Sequence, residues 1–324
     1  MVQSELQDID FSSTNEEDYN CSITSEELEA ALKSTGDTSP GPDQIPYVLL
    51  RKINVEQRKV LLDFYNQVWS SDYVPKQWKQ AILIPLIKPG KPASKITSCR
   101  PIALTNCLCK IYEKIITQRL TYRLDIKNIL TTYQSGFRKP HSMYDGMVRL
   151  ESDIRDAFVR DEYVIAVFLD IEKSFDSVWH NGLLRKIHNH GLRGHLPLFL
   201  KNFLENREVT VRIGTTNSRS STLACGVAQG SVISPTLFFL MINDIFDDCS
   251  CNVQRSLYAD DGAIWLRCAV IEDGPKTNIM LFTKKRQQDL SLFMNGKQLT
   301  TVKEYKFLGM TLIVISHGQA ILKK

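Results

Sequence analysis

Tyr258-Ala259-Asp260-Asp261 sets two adjacent carboxylates between two apolar runs, Gln254–Tyr258 and residues 263–266. Two short strands joined by a polar tip predict a β-hairpin. Upstream, Phe168-Leu169-Asp170 closes an apolar run over 164–169 and delivers a third carboxylate. That run is uninterrupted, as expected of a strand covered on both faces. An Asp pair alone is ordinary turn chemistry, and Asp170 alone reads as a helix N-cap. Three carboxylates gathered at one sheet edge point further. Such a set can hold two Mg²⁺ ions, roughly 3.5–4 Å apart in two-metal enzymes, and serves phosphoryl or nucleotidyl transfer.

The surrounding chain is 324 residues long, 43% hydrophobic and 23% charged, an ordinary composition for a folded protein of two or three subdomains. Its net charge of +4 conceals an asymmetry. Residues 1–37 hold ten Asp or Glu and one Lys, so the remaining body is strongly basic. A basic body suits contact with a polyanion. No apolar run approaches a membrane span, and the N-terminus lacks a basic-then-apolar leader. The eight cysteines contain no Cys-x-x-Cys pair, which argues for free thiols in a reducing compartment and against structural zinc. An intracellular protein, nuclear or cytoplasmic and not secreted, is expected.

Along the chain, Thr24-Ser25-Glu26-Glu27 is a capping box that opens a helix through Lys33. Asn54 through Gln57 begins a longer amphipathic helix, with Val60, Leu61, Phe64, Tyr65, Val68 and Trp69 on its core face. A strand is expected over 81–87, and a helix over 106–124. The latter turns Ile111, Tyr112, Ile115 and Leu120 inward and Lys110, Lys114, Arg119 and Arg123 largely outward. Further helices are expected over 147–159, 181–190, 195–205 and 234–246, and strands over 208–213, Ile279–Phe282 and 305–308.

Eight blocks then fall in one order: Ser39-Pro40-Gly41-Pro42-Asp43, Ile84-Pro85-Leu86-Ile87-Lys88, Arg100-Pro101-Ile102-Ala103-Leu104, Gln134-Ser135-Gly136-Phe137-Arg138, the Asp170 strand, Gly226-Val227-Ala228-Gln229-Gly230-Ser231, Tyr258-Ala259-Asp260-Asp261 and Phe307-Leu308-Gly309. In these blocks the chain resembles reverse transcriptases of non-LTR retrotransposons, the jockey- or LINE-like group, over nearly its whole length.

The resemblance implies an α+β right-hand polymerase fold, with fingers and a ferredoxin-like palm built on an antiparallel sheet. Residues 1–22 would be an acidic disordered tail, 23–75 an N-terminal helical extension, 76–160 the fingers, 161–315 the palm and 316–324 the truncated start of a thumb. It implies an RNA-directed DNA polymerase, a nucleotidyltransferase adding deoxynucleoside triphosphates to a DNA primer on an RNA template. Asp170, Asp260 and Asp261 would be catalytic. With the Ile171 carbonyl they would hold two Mg²⁺, for which Mn²⁺ could substitute. Lys88 and Arg100 would contact the triphosphate, as guanidinium geometry suits. Phe175 would exclude a ribose 2′-hydroxyl, and Gln229 and Gly230 would flank the nascent base pair. Lys110, Lys114, Arg119 and Arg123 would touch the template backbone. An unrelated two-metal nuclease explains neither Lys88 and Arg100 nor Phe175.

One departure stands out. The family places a palm helix between the hairpin and the next strand, yet only a short connector between 266 and 277, broken by Gly274-Pro275, is present. A crossover between parallel strands needs about 10–12 residues or more. The palm is therefore expected to be shortened there, by an internal deletion or a mis-assembled gene model. Two functional readings stay open: an active polymerase, or an inactive, internally deleted retrotransposon remnant that at most binds nucleic acid.

Overall fold

The computed structural model describes residues 9–92, 94–138, 141–171 and 173–268, and beyond them the backbone of 279–282, 293–294, 297–298, 304–307, 310–314 and 320–323. In chain order the elements are α1 (Ser25–Lys33), α2 (Tyr47–Arg51), α3 (Val55–Ser71), β1 (Gln80–Ile87), β2 (Cys99–Leu104), α4 (Cys107–Ile126), α5 (Tyr144–Val159) and β3 (Tyr163–Asp170). There follow α6 (His180–Asn189), α7 (His195–Leu204), β4 (Arg207–Ile213), β5 (Thr216–Asn217), β6 (Ser221–Leu223), α8 (Ser234–Ile242), β7 (Gln254–Tyr258) and β8 (Asp261–Cys268). The last strands are β9 (Ile279–Phe282), β10 (Phe293–Met294), β11 (Lys297–Gln298), β12 (Glu304–Phe307), β13 (Met310–Val314) and β14 (Ala320–Lys323). Two compact units result, residues 1–130 with 173–242 and residues 131–172 with 243–324. No described helix is long and apolar enough to cross a membrane.

In the first unit the capping box expected at Thr24 forms, and a second one, not expected, opens α3. Thr24 accepts from the Glu27 N–H while the Glu27 carboxylate accepts from the Thr24 N–H, and Asn54 and Gln57 repeat the exchange on α3. Each cap is worth about 1 kcal/mol. The core is aromatic: Tyr65, Trp69, Trp78, Tyr112 and Phe199 are buried, with Tyr112 ring centroids 5.1 Å from both Tyr65 and Phe199. Only part of the expected α3 stripe joins it. Tyr65, Val68 and Trp69 are buried, whereas Val60 and Phe64 are exposed, because the stripe is wider than the contact it meets. Beside this core lies a five-stranded sheet of order β2-β1-β4-β5, with β6 also paired to β4. β1 is antiparallel to β2 and parallel to β4.

Part of the acidic leading segment packs instead of trailing free. Phe11, Tyr19 and Asn20 are buried. Asn20 serves both side-chain ends and its carbonyl: Oδ1 accepts from the Leu196 N–H at 3.1 Å, Nδ2 donates to the Arg193 carbonyl at 2.8 Å, and its carbonyl accepts from Trp69 Nε1 at 3.0 Å. Residues 9–22 thereby lose the disorder expected of them, since these apolar and amide groups have specific burial partners far away in sequence.

The second unit is organised by a sheet of order β7-β8-β3-β9. β3 is its central strand, antiparallel to β8 on one side and β9 on the other. Helix α5 covers one face. Met147, Leu150, Ile154 and Ala157 meet Val164, Ala166, Phe168, Ala263 and Trp265 in a buried cluster. Close approach is possible because Gly146 has no side chain; a Cβ there would lie 2.0 Å from Ser256 Oγ. Trp265 anchors the far end by donating Nε1–H to Asp153 at 2.7 Å. Burial along β3 alternates, so the expectation of two covered faces is corrected. Val164, Ala166 and Phe168 are buried, while Ile165, Val167 and Leu169 are only partly covered. Most of the short connector, residues 269–278, lies outside the described residues. Residues 320–323, expected to start a thumb, form β14 in an antiparallel meander with β12 and β13.

Candidate active site

The three carboxylates meet in the second unit through the strand ladder. Asp170 is the last residue of β3 and pairs across the ladder with Asp261, the first residue of β8. Asp261 also pairs with Tyr258, leaving Ala259 and Asp260 as a two-residue loop. Ala259 takes a φ of 55°, left-handed and unfavourable for a residue with a Cβ, at a cost of order 1 kcal/mol. Like charges placed directly opposite on neighbouring strands repel. Partial burial, reinforced by the charges of Asp260 and Asp170, pushes the Asp261 carboxyl up to about 6. Ile171 follows Asp170, half-buried and outside the strand.

Oxygen donors of this kind match a hard divalent cation. Among the described residues no three His, Cys, Asp or Glu side chains close around a single point. The carboxylates are neighbours whose charges feel one another, with their oxygens not drawn in to one centre. Donor chemistry and adjacency fit Mg²⁺; an enclosed cage is not preformed.

The remaining candidates lie in the first unit. Lys88 and Arg100 are exposed on the β1–β2 hairpin. Leu86 pairs with Arg100 and the Lys88 N–H donates to the Ser98 carbonyl at 2.8 Å, so Lys88 and Arg100 stand diagonally on one hairpin face. Phe175 is half-buried and stacks on Phe238 of α8, centroids 4.9 Å apart and planes 21° from parallel. Gln229 Nε2 donates to Asp176 at 3.3 Å. Gly230 has a φ of 126°, and a Cβ there would lie 2.5 Å from the Ala103 carbonyl oxygen; glycine is required at that approach.

The basic row of α4 needs correction. Arg119 is nearly buried: it pairs with Glu27 at 2.7 Å and donates to the carbonyls of Tyr19, Cys21 and Ser22. Lys110 is buried, Lys114 donates to the Ser34 carbonyl, and Arg123 lies over the Tyr19 ring with its centroid 5.2 Å away. Lys114, Arg119 and Arg123 fasten the acidic leading segment. Helical spacing identified their common face but could not show that residues from the chain's own start occupy it.

A family model described as reverse transcriptase (RNA-dependent DNA polymerase) matches residues 87–312, most of the chain. The chain belongs to the reverse transcriptase family. It is 36% identical over 224 residues, covering 69% of this chain and 25% of the relative, to a probable RNA-directed DNA polymerase from transposon BS of Drosophila melanogaster. It is 29% identical over 304 residues to the RNA-directed DNA polymerase from mobile element jockey of the same fly, covering 85% of this chain and 33% of that one. A probable RNA-directed DNA polymerase from transposon X-element, also of that fly, is 29% identical over 314 residues, 89% of this chain and 34% of the relative. The chain thus spans between a quarter and about a third of the length of these relatives.

Two buried polar residues carry no role in the sequence reading. Gln134, 2% exposed, brackets the strained loop: Oε1 accepts from the Gly136 N–H at 2.8 Å and the Ala259 N–H at 3.3 Å. On either side of it, Leu257 N–H donates to the Tyr133 carbonyl and Ser135 N–H to the Leu257 carbonyl, each at 2.8 Å. Residues 133–135 therefore pair with β7. The second residue is Glu113, fully buried on α4. A Glu amid apolar neighbours, Ile111, Tyr112, Ile115 and Ile116, was the available signal.

Proposed function

We propose that this chain is an RNA-directed DNA polymerase that extends a DNA primer on an RNA template. The primer 3′-oxygen attacks the α-phosphorus of an incoming deoxynucleoside triphosphate. A phosphodiester bond forms, the bond to the β-phosphate oxygen breaks, pyrophosphate leaves, and the hydroxyl proton passes to solvent. The observation that carries this reading is the facing of Asp170 and Asp261 across the β3–β8 ladder, with Asp260 in the adjoining loop.

Asp170, Asp260 and Asp261, with the Ile171 carbonyl, would hold the two divalent cations, Mg²⁺ or Mn²⁺, that lower the primer hydroxyl's pKa and neutralise the leaving phosphates. Lys88 and Arg100 would bind the triphosphate, their shared hairpin face giving two cations to one polyanion. Phe175, braced on Phe238, would meet the sugar 2′ position. Gln229 and Gly230 would border the new base pair. In this reading β3, β7, β8 and β9 with α5 form the palm and the β1–β2 hairpin belongs to the fingers. The free cysteines suit work in the nucleus or cytoplasm.

Primer extension on an RNA template with purified protein and Mg²⁺ or Mn²⁺, beside Asp260→Ala, tests the reading. Incorporation that vanishes in the variant is the expected result. Its absence from the wild type leaves the second reading, an inert relative that at most binds nucleic acid. That reading rests on the short connector between 266 and 277, broken by Gly274-Pro275.

A further inference from the structure

Glu113 is the single carboxylate of the described residues with no exposed surface. A charge so placed costs several kcal/mol unless donors surround it. Here they do. Its Oε2 accepts from Ser231 Oγ–H, from the Val232 N–H at 2.7 Å and from the Ile233 N–H at 3.2 Å. Cys109 Sγ lies 3.4 Å from Oε1. The buried Arg207 guanidinium supplies positive charge nearby: burial pushes its pKa down, and Cys109 and Glu113 oppose that shift.

These donors are specific in position. Val232 and Ile233 immediately precede α8, where N–H groups have no helical acceptor and the helix dipole favours an anion. Ser231 ends the block that carries Gln229 and Gly230. The other end of that block is tied as well, Ala103 N–H donating to the Gln229 carbonyl at 2.6 Å and Val227 N–H to the Phe175 carbonyl at 2.8 Å. Phe175 in turn stacks on Phe238 of α8. One buried carboxylate therefore fixes both the Gln229 loop and the helix on which Phe175 rests.

We propose that Glu113 is a positioning residue that sets Gln229 and Phe175 for the incoming deoxynucleotide. The proposal rests on the polymerase reading for its nucleotide and on geometry alone for its anchoring. Glu113→Gln keeps the size and loses the charge; Ser231→Ala removes one donor and spares the core.

In the full-length chain, Glu113→Gln should speed amide hydrogen exchange at Val232 and Ile233 about tenfold or more, the worth of one charge-assisted hydrogen bond. It should also raise the deoxynucleotide KM by a similar factor, with a smaller effect on kcat, and lower discrimination against ribonucleotides. Ser231→Ala should shift the same quantities less, and Glu113→Asp should restore part of the loss. Lower thermal stability with unchanged exchange at 232–233, unchanged KM and unchanged sugar discrimination would mean a packing role only and would overturn the proposal. If the wild type shows no Asp260-dependent incorporation, the polymerase reading fails. The exchange measurement then decides the anchoring claim by itself: faster exchange in the variants keeps it, and unchanged exchange ends it.

Discussion

Glu113 in the first unit and Asp261 in the second are both carboxylates drawn into the protein, but their surroundings are opposite. Glu113 is ringed by donors, two of them at the start of α8. Asp261 faces Asp170 across the ladder and follows Asp260, so burial and two like charges hold its carboxyl up to about 6. The first charge is met by fixed donors inside the fold. The second leaves a repulsion that a proton or an external cation relieves, as expected of a binding or catalytic centre more than of a structural one.

The widest gap between the two should appear on removing a charge from each region. Asp260→Ala should cut metal-dependent incorporation by at least about a thousandfold, the several kcal/mol that charge neutralisation by a metal supplies. Its melting temperature in metal-free buffer should hold or rise. A clear fall in that temperature would break the comparison, because the acidic tip would then be a stabilising element. In the first unit, Arg119→Ala should lower unfolding free energy by about 3 kcal/mol, leaving the Glu27 carboxylate without its cation and three carbonyls without this donor. Urea denaturation checks this; a loss below about 1 kcal/mol would show solvent replacing the guanidinium.

Gln134→Ala sharpens the picture within the second unit. Removing its bonds to Gly136 and Ala259 should cost about 1 kcal/mol and slow incorporation with little change in nucleotide KM. Smallest are the pH slopes. Asp261 binds its proton more tightly folded than unfolded, so its contribution weakens as pH rises from 3.8 to about 6 in metal-free buffer. Burial raises the Glu27 carboxyl, but the Arg119 hydrogen bonds, the Thr24 N–H and the Arg119 charge together outweigh it and set it below 4.5. Its contribution is full above that value and fades as pH falls. Melting curves from pH 3 to 7 should show Asp261→Asn flattening the upper slope and Glu27→Gln the lower; one slope answering to both variants would contradict the assignment.

Legibility in the sequence followed the distance over which each interaction acts. The capping box at Thr24 acts across three residues and forms as read, and the helix start at Asn54 falls where expected. The hairpin around Asp260 was legible because its two strands adjoin the turn. β2 was not identified as a strand; Pro101 interrupts it and its register comes from β1. Arg119 was read as outward because its acceptors, Glu27 and residues 19–22, lie about a hundred positions earlier. Gln134 and Glu113 belong to the same class. A buried polar residue reveals its role only when the distant backbone it serves has been brought to it.

The pairing of residues 133–135 with β7 has a consequence for the open margin of the sheet. Leu257 would otherwise present an open N–H and C=O on the outer margin of the sheet, a template on which another chain could add a strand. The Tyr133 carbonyl and Ser135 N–H occupy that position. The short segment that braces the acidic tip therefore also covers the sheet margin at Leu257, and proteolytic nicking between 131 and 138 should raise the tendency to aggregate.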